Sequence, residues 1–139
     1  GIAAFHSGKY ETALKELVPA AKANDADALY TLGLMHSAGK GVEKDQKQAV
    51  GYFAKAAELG NREAQQSYGE ALMLGEGVEQ NMLDALKWFV ISARAGNKDA
   101  ATYAANVGKF MTREMQADAR MQAADWEKAF KAKKEAGGD

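Results

Sequence analysis

The sequence predicts an all-α protein, an α-solenoid of helix-loop-helix repeats with a C-terminal capping helix. Three observations carry this. First, the chain repeats itself at a fixed offset of 36 residues: Leu32–Val42 reads LGLMHSAGKGV and Tyr68–Val78 reads YGEALMLGEGV. Second, a short polar residue able to cap a helix recurs at the same interval, as Asp25, Asn61 and Asn97. Third, the segments between these signals place apolar residues at helical spacing. A fixed period in this range is the signature of a repeat protein, in which each unit buries a face against the next.

The register extends over a whole unit. Gly33, Gly39 and Gly41 align with Gly69, Gly75 and Gly77, Val42 with Val78, and Glu43 with Glu79. Downstream, Asp45 aligns with Asn81, Ala49 with Ala85, Tyr52 with Trp88, Phe53 with Phe89, Ala57 with Ala93 and Gly60 with Gly96. One unit reads Ala28-x3-Leu32-Gly33-x5-Gly39-x-Gly41-Val42-x2-Asp45-x3-Ala49-x2-Tyr52-Phe53-x2-Ala56-Ala57-x2-Gly60. This pattern resembles the Sel-1-like repeat, a helix-loop-helix relative of the tetratricopeptide repeat. The resemblance is close over residues 28–100 and loose in the flanks to about residue 135. It implies a right-handed solenoid. One departure is His36, where the family usually has Tyr and the second unit has Leu72.

The elements follow in order. Residues 1–8 read as the end of a truncated helix, and Gly8-Lys9-Tyr10 as a turn resembling the Gly-x-Tyr junction of a tetratricopeptide unit. Residues 1–24 are then an N-terminal helix pair. Tyr10–Ala23 has helical apolar spacing, interrupted by Pro19. A proline costs about 3 kcal/mol in a helix interior, so a kink or early break is expected there. Repeat 1 is placed at 25–60 and repeat 2 at 61–96. Their first helices begin at Asp25 and Asn61, and a third begins at Asn97, each cap accepting from free amides of the first turn. Asp27, Glu63 and Asp99 put negative charge in those first turns, where the helix dipole favours it. The second helices begin at Asp45 and Asn81, with Asp45-x-x-Gln48 in the form of a capping box.

Between the helices of each pair lie the Gly-x-Gly-Val loops. Their glycines permit positive φ, and Val42 and Val78 are expected to turn back into the core. Gly60 and Gly96 end the second helices. Small residues (Ala49, Ala56, Ala57; Ala85, Ser92, Ala93) let helices approach closely. Tyr52, Phe53, Trp88 and Phe89 are expected to fill the gaps between units, each contributing on the order of 2–3 kcal/mol by burial. Residues 97–110 form a degenerate half repeat with no Gly-x-Gly-Val loop after it. Thr112 caps a last helix over 111–135, with Met115, Ala119, Ala123, Trp126 and Phe130 on one stripe, suited to covering the end of a solenoid. The terminal Ala136-Gly137-Gly138-Asp139 is expected to fray.

Composition narrows the function classes. A net charge of −1 gives no electrostatic case for nucleic acid or anionic membrane. No apolar run approaches the length of a membrane span. There is no Cys, hence no disulfide framework and no thiolate chemistry. The 14 Gly are periodic and Pro occurs once, which argues for structural turns over a disordered linker. The resemblance adds a compartment: many such bacterial proteins are exported, so the periplasm is expected, with the cytoplasm as the alternative and any signal peptide lying upstream of Gly1.

No catalytic pattern emerges. His6 and His36 lie thirty residues apart with no second ligand at helical spacing, so no metal site is expected. Ser7, Ser37, Ser67 and Ser92 have no nucleophile-elbow context. Gly39-x-Gly41 lacks the preceding strand and the third glycine of a dinucleotide fingerprint. Lys128, Lys131, Lys133 and Lys134 lie in the last turns of a helix, where the dipole favours cations. The chain therefore reads as a non-catalytic protein with no cofactor.

The resemblance implies an adaptor that binds a peptide or partner protein in the concave groove lined by the first helices. Ala28, Leu32 and His36 set the core side of the first of these. Asp27, Tyr30 and Leu34 then point into the groove, followed by Glu63, Gln66, Glu70 and Met73, and by Asp99, Thr102 and Asn106. The three first-turn acids have a structural reason to be there. The expected partner-binding set is thus Tyr30, Leu34, Glu63, Gln66, Glu70, Met73, Thr102 and Asn106, suited to a partner with basic and apolar residues. The alternatives are a structural role as a fragment or accessory subunit of a larger envelope assembly and, further off, a hydrolytic enzyme.

Overall fold

The computed structural model describes residues 1–137; Gly138 and Asp139, where part of the terminal fraying was expected, lie outside the described residues. The described residues form eight α-helices and no strand: α1 (Ile2–His6), α2 (Tyr10–Lys22), α3 (Ala26–Ala38), α4 (Gln46–Glu58), α5 (Arg62–Leu74), α6 (Met82–Arg94), α7 (Lys98–Gly108) and α8 (Arg113–Glu135). Successive helices pack antiparallel as pairs, α3 on α4 and α5 on α6, and α4 and α6 also touch the first helix of the following unit. This is the all-helical solenoid that the 36-residue register predicts.

The helix starts follow from short polar side chains. Asp25, Asp45, Asn61, Asn81, Asn97 and Thr112 each accept a hydrogen bond from the backbone N–H three residues on. Each bond satisfies one of the four amides that a helix start leaves unpaired. The capping box at Asp45 is only half made. Asp45 accepts from the Gln48 N–H at 3.1 Å, but its own N–H donates to the His36 carbonyl at 2.9 Å, so Gln48 has no amide to reach back for. The same loop-closing bond recurs in unit 2, from the Asn81 N–H to the Leu72 carbonyl.

Pro19 does not break its helix. α2 runs through it to Lys22. The carbonyl left without an amide is that of Lys15, four residues back, and both Lys15 and Pro19 are exposed, so water can replace the lost bond.

The glycines of the loop do two jobs. Gly39 and Gly75 end α3 and α5 in the left-handed conformation, at φ 69° and 70°. Gly41 and Gly77 allow close approach as well. A Cβ on Gly41 would lie 2.5 Å from the Tyr10 Cβ, and one on Gly77 would lie 2.6 Å from the Gln46 carbonyl oxygen. Each loop therefore rests on the preceding unit. Val42 and Val78 are half-buried against the core beneath.

The aromatic packing differs from the expectation that all four repeated aromatics fill gaps between units. Phe53 and Phe89 are buried against the glycine of their own unit's first helix, Gly33 and Gly69, and Phe89 reaches the next unit as well. A Cβ at Gly33 would lie 2.5 Å from the Phe53 ring, and one at Gly69 2.7 Å from the Phe89 ring. The glycine on the first helix is the slot for the phenylalanine on the second. Tyr52 stacks on His36 of its own unit at 5.4 Å between centroids and packs against both core clusters. The contacts that join units come from Phe89 with Tyr103 of α7 (5.2 Å, 14°) and from Trp88 with Trp126 of α8 (5.4 Å, 68°).

α8 lies across α6 and continues past it. Trp126 donates from Nε1 to Glu58 of α4 at 3.0 Å, and the Phe130 ring covers Gly60 at the turn between units 1 and 2. Arg94 pairs with Glu127 at 2.6 Å.

Candidate functional site

The first helices α3, α5 and α7 share one face, and side chains stitch them together along it. Asn61, besides capping α5, donates from Nδ2 to Asp27 of α3 at 2.9 Å. Asn97 caps α7 and donates to Gln66 of α5 at 2.8 Å and to Ser92 Oγ at 2.9 Å. Ser92 is fully buried and itself donates to the Arg62 carbonyl at 2.6 Å. A cap that also reaches the neighbouring first helix fixes the angle between units, and with it the shape of the shared face.

Two neighbouring cavities open on that face. One, of about 410 Å³, is lined by Tyr30 of α3, by Arg62, Glu63, Gln66 and Ser67 of α5, and by Gly96, Asn97, Lys98 and Asp99 at the start of α7. The other, of about 390 Å³, is lined by Gln66, Asp99, Thr102, Tyr103 and Asn106. Gln66 and Asp99 belong to both, so the two are contiguous. Of the residues singled out from sequence, Tyr30, Glu63 and Gln66 meet in the first cavity, and Gln66, Thr102 and Asn106 in the second. Leu34, Glu70 and Met73 line neither. Met73 is half-buried and packs against the core. Arg62, Lys98, Ser67, Asn97 and Tyr103 are wall residues that helical spacing alone did not single out.

The two tyrosines on this face are held from beneath. Tyr30 packs on Phe53 at 5.8 Å, and Tyr103 stacks on Phe89. Glu70 of α5 lies near both phenols. Burial pushes the Tyr30 pKa above its ordinary value; a hydrogen bond with Ser67 pulls the other way, and the charges of Glu63 and Glu70 add to the rise. The Tyr103 pKa is raised first by a hydrogen bond with Glu70, then by the charges of Glu70 and Asp99. Both phenols therefore keep their protons at neutral pH.

The remaining polar features are structural. His36 is half-buried against Tyr52, and its Nδ1 has no partner. Gln65, buried between units, donates to the Ala57 carbonyl at 3.2 Å. Among the described residues no three His, Cys, Asp or Glu side chains are grouped to hold a metal ion. No described helix is long and apolar enough to cross a membrane.

Comparison with known proteins accords with this architecture. The Sel1 repeat matches at residues 26–61 and 62–97, together more than half of the chain. No curated protein sequence matches it significantly. Among solved structures, a protective antigen present in uropathogenic Escherichia coli strains, displaying an SLR fold, superposes with a TM-score of 0.76 at 26% identity. That match covers 88% of this chain and 27% of the antigen. A Sel1 repeat protein from Oxalobacter formigenes superposes with a TM-score of 0.75 at 26% identity, over 91% of this chain and 54% of the other. The chain thus spans about a quarter and about half the length of these two relatives. With the repeat matched over both central units, the chain belongs to the Sel1 repeat family.

Proposed function

We propose that the chain is a non-catalytic adaptor that binds an extended peptide or a partner protein along the face of its first helices. Sel1 repeats generally mediate protein–protein interaction, and the family is generally non-catalytic. The observation that supports the groove as the site is the pair of contiguous cavities running from Tyr30 across α5 to Asn106. Their walls are mostly amides, hydroxyls and carboxylates, groups that hydrogen-bond a peptide backbone and select polar side chains. Solenoid stacking supplies the extended surface on which such a segment can lie.

The test is capture of partners from an extract of the source cell, read by mass spectrometry, with wild type beside the double variant Tyr30→Ala/Glu70→Lys. Circular dichroism verifies that the variant is folded. A partner held by wild type and lost by the folded variant is the expected result. A partner held equally by both would move the binding site off this face.

A further inference from the structure

In units 1 and 2 each first helix is covered by the second helix that follows it, α3 by α4 and α5 by α6. The next first helix, α7, is not covered in this way. α8 packs along α6 instead of pairing with α7. Burial records the difference at equivalent positions of the register. Leu29 and Gln65 are buried where Ala101 is exposed, and Gly33 and Gly69 are buried where Ala105 is exposed. Gly33 and Gly69 are the slots that receive Phe53 and Phe89. The exposed side of α7 is therefore the pairing face of a first helix, left open.

A cavity of about 400 Å³ opens on this face. Leu86 and Val90 of α6 and Ala104 and Ala105 of α7 form its apolar part. Lys109 and Arg120, both exposed, supply its charge. No acid lines the cavity, and neither cation belongs to an ion pair among the described residues. In unit 1 the position equivalent to Lys109 is Ser37, which donates to Gln46, the first residue of α4, at 3.0 Å. Lys109 thus stands where a second helix would begin. The dipole favours acids in the first turn of a helix. An acid in that turn would here also meet Lys109 and Arg120, in a charge-assisted contact.

We propose that the open face of α7 docks an amphipathic helix of a partner protein, laid antiparallel to α7 as α4 lies on α3 and α6 on α5. Its first turn carries an acid that pairs with Lys109 and Arg120. About two turns further on, as Phe53 follows Gln46, an aliphatic side chain enters the cavity over Ala105. Ala105 carries the Cβ that would lie 2.5 Å from the ring at Gly33, so leucine or isoleucine suits this place better than phenylalanine. The partner completes the third helix pair from outside. This surface is separate from the groove, and its test does not depend on the groove reading.

The experiment selects binders to the full chain from a library of stapled helices of about four turns, randomised along one face. The selected helices should share an acid in the first turn and leucine or isoleucine about two turns later. The affinity of one of them is then measured by fluorescence anisotropy. Ala105→Arg, at an exposed position, should weaken binding at least about tenfold by filling the cavity. Lys109→Glu/Arg120→Glu should weaken it about tenfold, and replacing the acid of the helix by lysine should restore part of that loss. Tyr30→Ala/Glu70→Lys should leave binding unchanged, and circular dichroism verifies the fold of each variant. No helix selected, selected helices without an acidic first turn, or binding that survives Ala105→Arg would overturn the proposal. Binding lost in the Tyr30→Ala/Glu70→Lys variant would overturn it as well and place the helix in the groove. The chain alone should sediment as a monomer; a dimer dispersed by Ala105→Arg would overturn the proposal by assigning the face to a second copy of the chain.

Discussion

Single residues in this chain carry more of the repeat geometry than their chemistry suggests. At position 24 the left-handed backbone that Gly60 and Gly96 supply in later units is held by Asn24, at φ 62°. Asn is among the few residues with a side chain that tolerate this region, so the missing glycine leaves the turn intact. Gly69 shows the opposite case, a glycine required for space. Its φ is helical, and alanine would ordinarily improve a helix by up to about 1 kcal/mol. A Cβ there would meet the fully buried Phe89 ring, which has no room to retreat. Gly51 in α4 faces open space. Gly69→Ala should therefore lower stability by about 1–3 kcal/mol through overpacking. Gly51→Ala should raise it by about 0.5–1 kcal/mol. Urea denaturation of the two variants checks both signs. Equal effects would mean that the glycine slot for phenylalanine is not what holds the helix pair together.

At the scale of the elements, the helix starts were legible because one side chain decides each of them. All six caps read from the sequence accept the bonds expected of them. The partners of the aromatics were not legible. A 36-residue register shows that Phe53 and Phe89 are equivalent, but not whether an equivalent ring faces its own unit or the next. That depends on the glycine opposite, twenty residues away in sequence and adjacent in space. The early break expected at Pro19 does not occur for a related reason: propensity gives the cost of a lost backbone bond without knowing that the helix is exposed there. α8 is the element that ties the molecule lengthwise, and Trp88 is its anchor. Trp88 is 3% exposed and touches Tyr68 at 5.7 Å as well as Trp126. Trp88→Ala should cost about 3–5 kcal/mol, as truncation of a buried aromatic does. Thermal and chemical unfolding would read this directly. A loss under about 1 kcal/mol would show that α8 is not seated on α6 through this residue.

On the scale of the whole molecule, each unit is held by the packing of its own helix pair and by the units beside it, as stability in a solenoid is a sum of unit and adjacent-interface terms. The shared face of α3, α5 and α7 is a product of that stacking. Its general composition could be read by carrying one helical stripe through the register, which brought Tyr30, Glu63 and Gln66 to one cavity and Thr102 and Asn106 to the next. Arg62, Lys98 and Asn97 escaped that reading because they stand at helix starts, where the tilt between units, set by the Asn97 bonds to Gln66 and Ser92, swings them into the wall. Met73 escaped in the other direction, drawn onto the core.

The account's central claim is that partners bind on this face. The most direct measurement places a photo-reactive amino acid at Thr102, exposed on α7, and in a second protein at Lys55, exposed on α4. Each is irradiated with the captured partner, and the cross-linked peptides are identified by mass spectrometry. The account predicts cross-links from position 102 and none from position 55. Cross-links from position 55 alone would contradict it and assign recognition to the second helices.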